Sequence, residues 1–155
     1  MTRAQTVGVL DYGVGNLGSV LNMFRHIDVD ATLVTSASDI ERVQRLLLPG
    51  VGAYDRGVTG LEDSGLAEVV TTAAHSGMPV LGICLGMQLL CESSDEGSRR
   101  GLALLDAHCE RFSVTDASLR VPHMGWNWVS PARDHPLNPD PSTEDKFYFA
   151  HSYHV

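Results

Sequence analysis

Basic residues are scarce in this chain. Eleven Lys and Arg stand against nineteen Asp and Glu, a formal net charge of −8. So acidic a chain lacks the Lys/Arg surface that nucleic acid or an anionic membrane requires, and neither is an expected partner. Long apolar runs are missing too. The stretch Val7–Leu10 is far too short for the core of a secretory signal or for a membrane span, and residues 1–5 before it are polar. Cysteine is limited to three residues, an odd number that makes no disulfide framework and fits reduced thiols in a cytoplasmic chain. There is no internal repeat, and no metal or cofactor is expected.

What is present is an alternation of short apolar strands and amphipathic helices. Strands are expected at residues 6–10, 31–35, 45–48 and 79–83, the third so apolar that it reads as a buried parallel strand. Between them the pattern predicts a helix over 20–27 and a short one opening at Ser38 or Asp39. Residues 55–75 read as a polar loop followed by a helix carrying Leu66, Val69, Val70 and Ala73. This is the pattern of an α/β fold, a flavodoxin-like doubly wound, mostly parallel sheet with helices on both faces. After Gly101 the texture changes to strand-like segments, an aromatic stretch at 122–128, a proline- and acid-rich loop at 131–145 and a strand-prone aromatic end. The 155 residues are read as a single domain.

The most informative stretch is Gly82-Ile83-Cys84-Leu85-Gly86-Met87-Gln88, where an apolar strand runs into a helix-forming segment. Glycines two residues either side of a cysteine are the pattern of a nucleophile elbow, because side chains there would collide with the sharp bend. Cys84 at its apex would meet the N–H groups that open the helix, which favour thiolate over thiol. Gln88, one helical turn on, is placed to hold a polar substrate group. Cys91, seven residues from Cys84, reads as core packing, and residues 92–101 as the polar end of that helix and a loop.

Two glycine-rich turns follow other strands. Asp11-Tyr12-Gly13-Val14-Gly15-Asn16-Leu17-Gly18 includes a Gly-x-Gly-x-x-Gly match. The acidic residue expected about 20 positions on falls at Asp39, behind a polar loop instead of at a strand end, which speaks against a dinucleotide site. Pro49-Gly50-Val51-Gly52-Ala53 ends the third strand; its N–H groups either face an oxyanion held over Cys84 or serve a plain strand-to-helix turn.

Together with Pro122-His123-Met124-Gly125-Trp126-Asn127 and Phe147-Tyr148-Phe149-Ala150-His151-Ser152-Tyr153, these segments resemble the glutaminase subunits of imidazole glycerol phosphate synthase, within the class I (triad) glutamine amidotransferases. The resemblance spans the whole length in the expected order. It implies that Cys84 attacks the side-chain amide of L-glutamine, releases ammonia and leaves a thioester that water hydrolyses. It implies an oxyanion site from Leu85 and the Gly50, Val51 and Gly52 turn, and glutamine held by Gln88, Glu96, Ser152 and Tyr153, with Glu96 meeting the ammonium. It also implies a heterodimer with a (β/α)8-barrel cyclase, approached through Asn16 and Trp126.

The family takes its histidine base and orienting acid from a late His-Pro-Glu segment, and this sequence shows none before Val155. His135-Pro136 is followed by Leu137, and the other histidines match no catalytic position. The expectation is therefore a domain incomplete at its C-terminal end, with little glutaminase activity by itself. The alternatives are a catalytically inactive module that docks the cyclase and another class I amidotransferase.

Overall fold

A computed structural model describes residues 6–116, 119–132, 135, 137 and 145–155. The polar start at 1–5 and most of the loop at 131–145 lie outside the described residues. The chain divides into two compact units, Met1–Glu110 with Val155 and Arg111–His154.

The first unit opens with β1 (Val7–Leu10), α1 (Leu17–His26), β2 (Ala31–Val34), α2 (Ala37–Ile40) and β3 (Arg45–Leu48). It continues with α3 (Tyr54–Asp63), α4 (Leu66–His75), β4 (Val80–Gly82), α5 (Leu85–Leu90), β5 (Ser93–Ser94) and β6 (His108–Arg111), whose last residue is counted with the second unit. The four longer-range strands form one parallel sheet in the order β2-β1-β3-β4, with Val9 paired to both Leu33 and Leu47, and Leu47 to Leu81. The order reverses direction after β2. Right-handed crossovers therefore put α1 on one face and the helices after β2 on the other. On that second face Tyr54, Val58 and Leu61 of α3 meet Leu66 and Val70 of α4 and Leu85 and Leu89 of α5, over Leu46 and Leu48 of β3. α1 buries no residue fully; Leu17, Val20, Leu21 and Phe24 are half-buried and Met23 is exposed.

Several boundaries differ from the sequence reading. α1 begins three residues earlier because the Asn16 side chain accepts the Ser19 N–H at 3.2 Å and caps it. α2 starts after Ser36, whose N–H is accepted by the Asp39 carboxylate at 3.1 Å. The expected polar loop after residue 55 is mostly helix α3. Gly57 and Gly60 weaken its helix propensity, but their missing side chains let it pack: a Cβ on Gly60 would stand 2.4 Å from the Tyr12 carbonyl oxygen. α5 stops at Leu90 because Cys91 turns extended, and the carbonyls of Leu89 and Leu90 accept N–H groups of Leu102 and Leu104. The segment expected to end the helix instead forms β5, which pairs in parallel with β6.

In the second unit β7 (His123–Val129) and β8 (Asp145–His151) pair antiparallel, with Trp126 opposite Tyr148 and Met124 opposite Ala150; β9 (Tyr153–His154) follows. Alternation places Met124, Trp126, Trp128, Lys146 and Tyr148 on one face. The Phe112 ring meets His151 edge-on and stacks on His154.

Candidate active site

The carboxyl ends of β1, β3 and β4 carry three consecutive loops to one edge of the sheet, where ligands bind in open α/β folds. At the end of β4 the Ile83 N–H donates to the Leu48 carbonyl at 3.0 Å, and the chain then turns sharply at Cys84. Cys84 has φ +55° and ψ −118°, a conformation that non-glycine residues rarely adopt and that costs about 1–3 kcal/mol. Neighbouring contacts hold it there. The Cys84 carbonyl accepts the N–H groups of Met87 and Gln88 at 3.0 and 3.2 Å. A Cβ on Gly86 would stand 1.8 Å from the Leu48 carbonyl oxygen, and one on Gly82 2.6 Å from the Met87 backbone. The two flanking glycines are thus required for space, as the spacing predicts. Cys84 is exposed, whereas Cys91 and Cys109 are buried. With only six residues in α5, any electrostatic help for the thiol comes from the first-turn N–H groups and not from a long helix.

The turn after β3 lies against this elbow. A Cβ on Gly50 would sit 3.1 Å from Leu85 Cβ and 3.2 Å from the Gly86 nitrogen. Val51 is largely exposed, and Gly52 takes φ +108°. The backbone N–H groups of Val51, Gly52 and Leu85 find no acceptor among the described residues, so they are available to a negative oxygen. The loop after β1 closes the edge. A Cβ on Gly15 would lie 3.9 Å from Gly50 Cα, and exposed Asn16 follows it at the head of α1. From the same loop the buried Tyr12 hydroxyl donates to the Pro49 carbonyl. Burial, and then the nearby charge of Cys84, push the Tyr12 phenol well above its ordinary range.

Gln88 is buried behind Cys84, and its Oε1 finds no hydrogen-bond donor among the described residues. An orphaned buried amide oxygen is costly unless something else supplies a donor. Glu96 sits on the loop after β5. Its N–H is accepted by Ser94 Oγ at 3.2 Å. Burial pushes its carboxyl upward, opposed by a hydrogen bond from the Tyr54 N–H, and the Asp55 charge adds to the rise. That loop is fastened to α3, since the Asp55 carboxylate accepts N–H groups of Ser98 and Arg99, and Arg99 pairs with Glu62. It is fastened to β6 as well, where His108 bridges Ser93 at 2.7 Å and Asp95 at 2.8 Å.

Ser152, Tyr153 and Trp126 belong to the second unit. The Ser152 carbonyl accepts the Phe112 N–H at 2.9 Å. The Tyr153 carbonyl accepts from His151 Nδ1 at 2.8 Å, which leaves His151 Nε2 to meet His123 Nδ1 at 3.1 Å. Trp126 is 66% exposed, so it is not a buried core residue of its own unit. Within the first unit the structure brings together Cys84, Leu85, the Gly50-Val51-Gly52 turn and the loop bearing Asn16, with Gln88 one turn behind. Two features were not read from the sequence. One is the Tyr12–Pro49 bond; the other is the contact of the Cys109 and Cys91 thiols at 3.6 Å. A concavity of about 790 Å³ lined by Ile40, Val43, Met78 and Pro79 opens at the amino edge of the sheet and contains none of these residues. Among the described residues there is no cluster of three or more His, Cys, Asp or Glu placed for a metal, and no helix long and apolar enough to cross a membrane.

Comparison with known proteins narrows the chemistry. The family described as Glutamine amidotransferase class-I matches residues 8–155. The chain is 45% identical over 148 residues to imidazole glycerol phosphate synthase subunit HisH 2 of Pseudomonas aeruginosa, covering 95% of this chain and 73% of that one. It is 39% identical over 150 residues to the protein of the same name from Methanococcus maripaludis, covering 96% and 74%. A crystal structure of a glutamine amidotransferase superposes with a TM-score of 0.70 at 19% identity, over 92% of this chain and 69% of the other, a likeness of fold alone.

Proposed function

The chain belongs to the class-I glutamine amidotransferase family, and on that premise we propose that it is the glutaminase subunit of an imidazole glycerol phosphate synthase. In this reading Cys84 attacks the side-chain amide carbon of L-glutamine, and the C–N bond breaks with ammonia taking up a proton. Water then opens the glutamyl thioester to glutamate and restores the thiol. The ammonia passes to a (β/α)8-barrel cyclase partner, in a cytoplasmic heterodimer of histidine biosynthesis. Asn16 and Trp126 are both exposed, which suits contact with such a partner.

The observation that carries the reading is the exposed Cys84 at φ +55°, held between two glycines that admit no side chain. Strain at a reactive position persists only where the surroundings impose it. Beside it stand N–H groups of Val51, Gly52 and Leu85 without acceptors, a donor set suited to the tetrahedral oxyanion that forms twice in the cycle. Gln88 contributes a buried amide, and Glu96 a carboxylate for the substrate ammonium.

The test is labelling by an electrophilic glutamine analogue in the protein co-produced with its cyclase. Mass spectrometry should find one adduct, on Cys84, protected by glutamine and lost in Cys84→Ala. An unlabelled Cys84, or an adduct on Cys91 or Cys109, would sink the reading.

A further inference from the structure

Tyr12 lies on the loop after β1, 37 positions before its partner, and its hydroxyl donates to the carbonyl of Pro49. Both residues are buried, Tyr12 at 3% exposure. The ring is seated against α3 at Gly60, where a Cβ would stand 3.3 Å from Tyr12 Cδ2. The segment it grips is rich in backbone freedom, with Gly50 and Gly52 flanking a Val51 that is 61% exposed. A peptide unit is planar and trans, so fixing the Pro49 carbonyl also fixes the Gly50 N–H on the opposite side. The next peptides then start from one orientation instead of many.

We propose that Tyr12 is a positioning residue of the glutaminase, whose hydroxyl locks the Pro49–Gly50 peptide and so sets where the N–H groups of the following turn point beside Cys84. This rests on the glutaminase reading above. Tyr12 touches no reacting atom. It acts on the step that needs the turn, the build-up of charge on the amide oxygen, and not on the nucleophile itself.

That division gives the experiment, performed on the protein with its cyclase partner. Tyr12→Phe removes one oxygen and keeps the ring. Glutamine turnover should fall about tenfold in kcat with KM within about twofold, because misplaced oxyanion donors cost mainly transition-state binding. Alkylation of Cys84 by iodoacetamide, a displacement that builds no oxyanion, should keep its wild-type rate. Gly50→Ala supplies a second arm, since its Cβ would stand 2.5 Å from the Tyr12 hydroxyl oxygen. In the Tyr12→Phe background this substitution should cost less turnover than it does alone.

Unchanged kcat in Tyr12→Phe overturns the proposal, as does a parallel loss of alkylation, which would place the effect on the thiol. Losses that simply multiply in the double variant also overturn it. Wild-type protein bound to its cyclase that neither turns over glutamine nor takes the glutamine analogue on Cys84 would instead sink the glutaminase reading, and this one with it.

Discussion

Gly86→Ala sets two effects of opposite sign against each other. Gly86 is the second residue of α5, and by helix propensity alone alanine there would stabilise the protein by about 1 kcal/mol. Packing says otherwise. The new Cβ would lie 1.8 Å from the Leu48 carbonyl oxygen, while a carbon and an oxygen in contact need about 3.3 Å. The obstacle is backbone at the end of the central strand β3, not the tip of a flexible side chain. Moving it by more than an ångström also strains the 3.0 Å bond from the Ile83 N–H to that same carbonyl. Overpacking of this kind costs about 1–3 kcal/mol or more, and the weakened hydrogen bond about 1 kcal/mol. Propensity is outweighed, and a net loss of about 1–3 kcal/mol corresponds to a fall in Tm of about 2–12 °C for a chain of this size. Thermal unfolding followed by circular dichroism measures it. The same shift should slow labelling of Cys84, since the elbow carries the thiol. A Gly86→Ala protein with an unchanged or higher Tm would refute the steric account of the elbow.

Two further outcomes follow from the same geometry. Cys84→Gly should abolish glutamine turnover yet raise Tm by a few degrees, because φ +55° with ψ −118° suits glycine and the relief is worth about 1 kcal/mol; a lower Tm would show that Cys84 is not strained. Alkali should unfold the protein early. Burial pushes the Tyr54 phenol and the Cys109 thiol each up to about 12, and raises Cys91 as well. The unfolded chain therefore loses these protons first, so stability is intact below about pH 9 and declines as pH rises toward 12. Urea midpoints measured on either side of about pH 9 test the sign, and a midpoint that rises through this range would contradict it.

The elbow was legible in the sequence because its cause is local. Gly82, Cys84 and Gly86 lie within one bend, and the clashes that require the glycines involve the turn itself and the strand beside it. The four parallel strands were legible for a related reason: runs such as Leu46-Leu47-Leu48 have no polar face to show solvent. Membership of an amidotransferase family was legible in motifs that survive as short strings. Where the reading failed, a distant partner had overridden local preference. α3 looked like a loop because Gly57 and Gly60 are poor helix formers, but Leu89 and the Tyr12 carbonyl occupy the space their side chains would need. α5 looked longer because its apolar run continues through Cys91, but carbonyls at its end accept bonds from residues beyond Gly101.

What the sequence determined by itself is the sharp strand-to-helix turn at Cys84 and the two glycines it requires. What only the tertiary structure decided is how that turn is surrounded. It placed the Gly50 turn against Leu85, left the Gln88 Oε1 buried without a donor, and put the Tyr12 hydroxyl on the Pro49 carbonyl. Each of these joins groups far apart in the chain or fixes one atom's direction, and such contacts follow from the packing of the whole unit, not from the residues next in line.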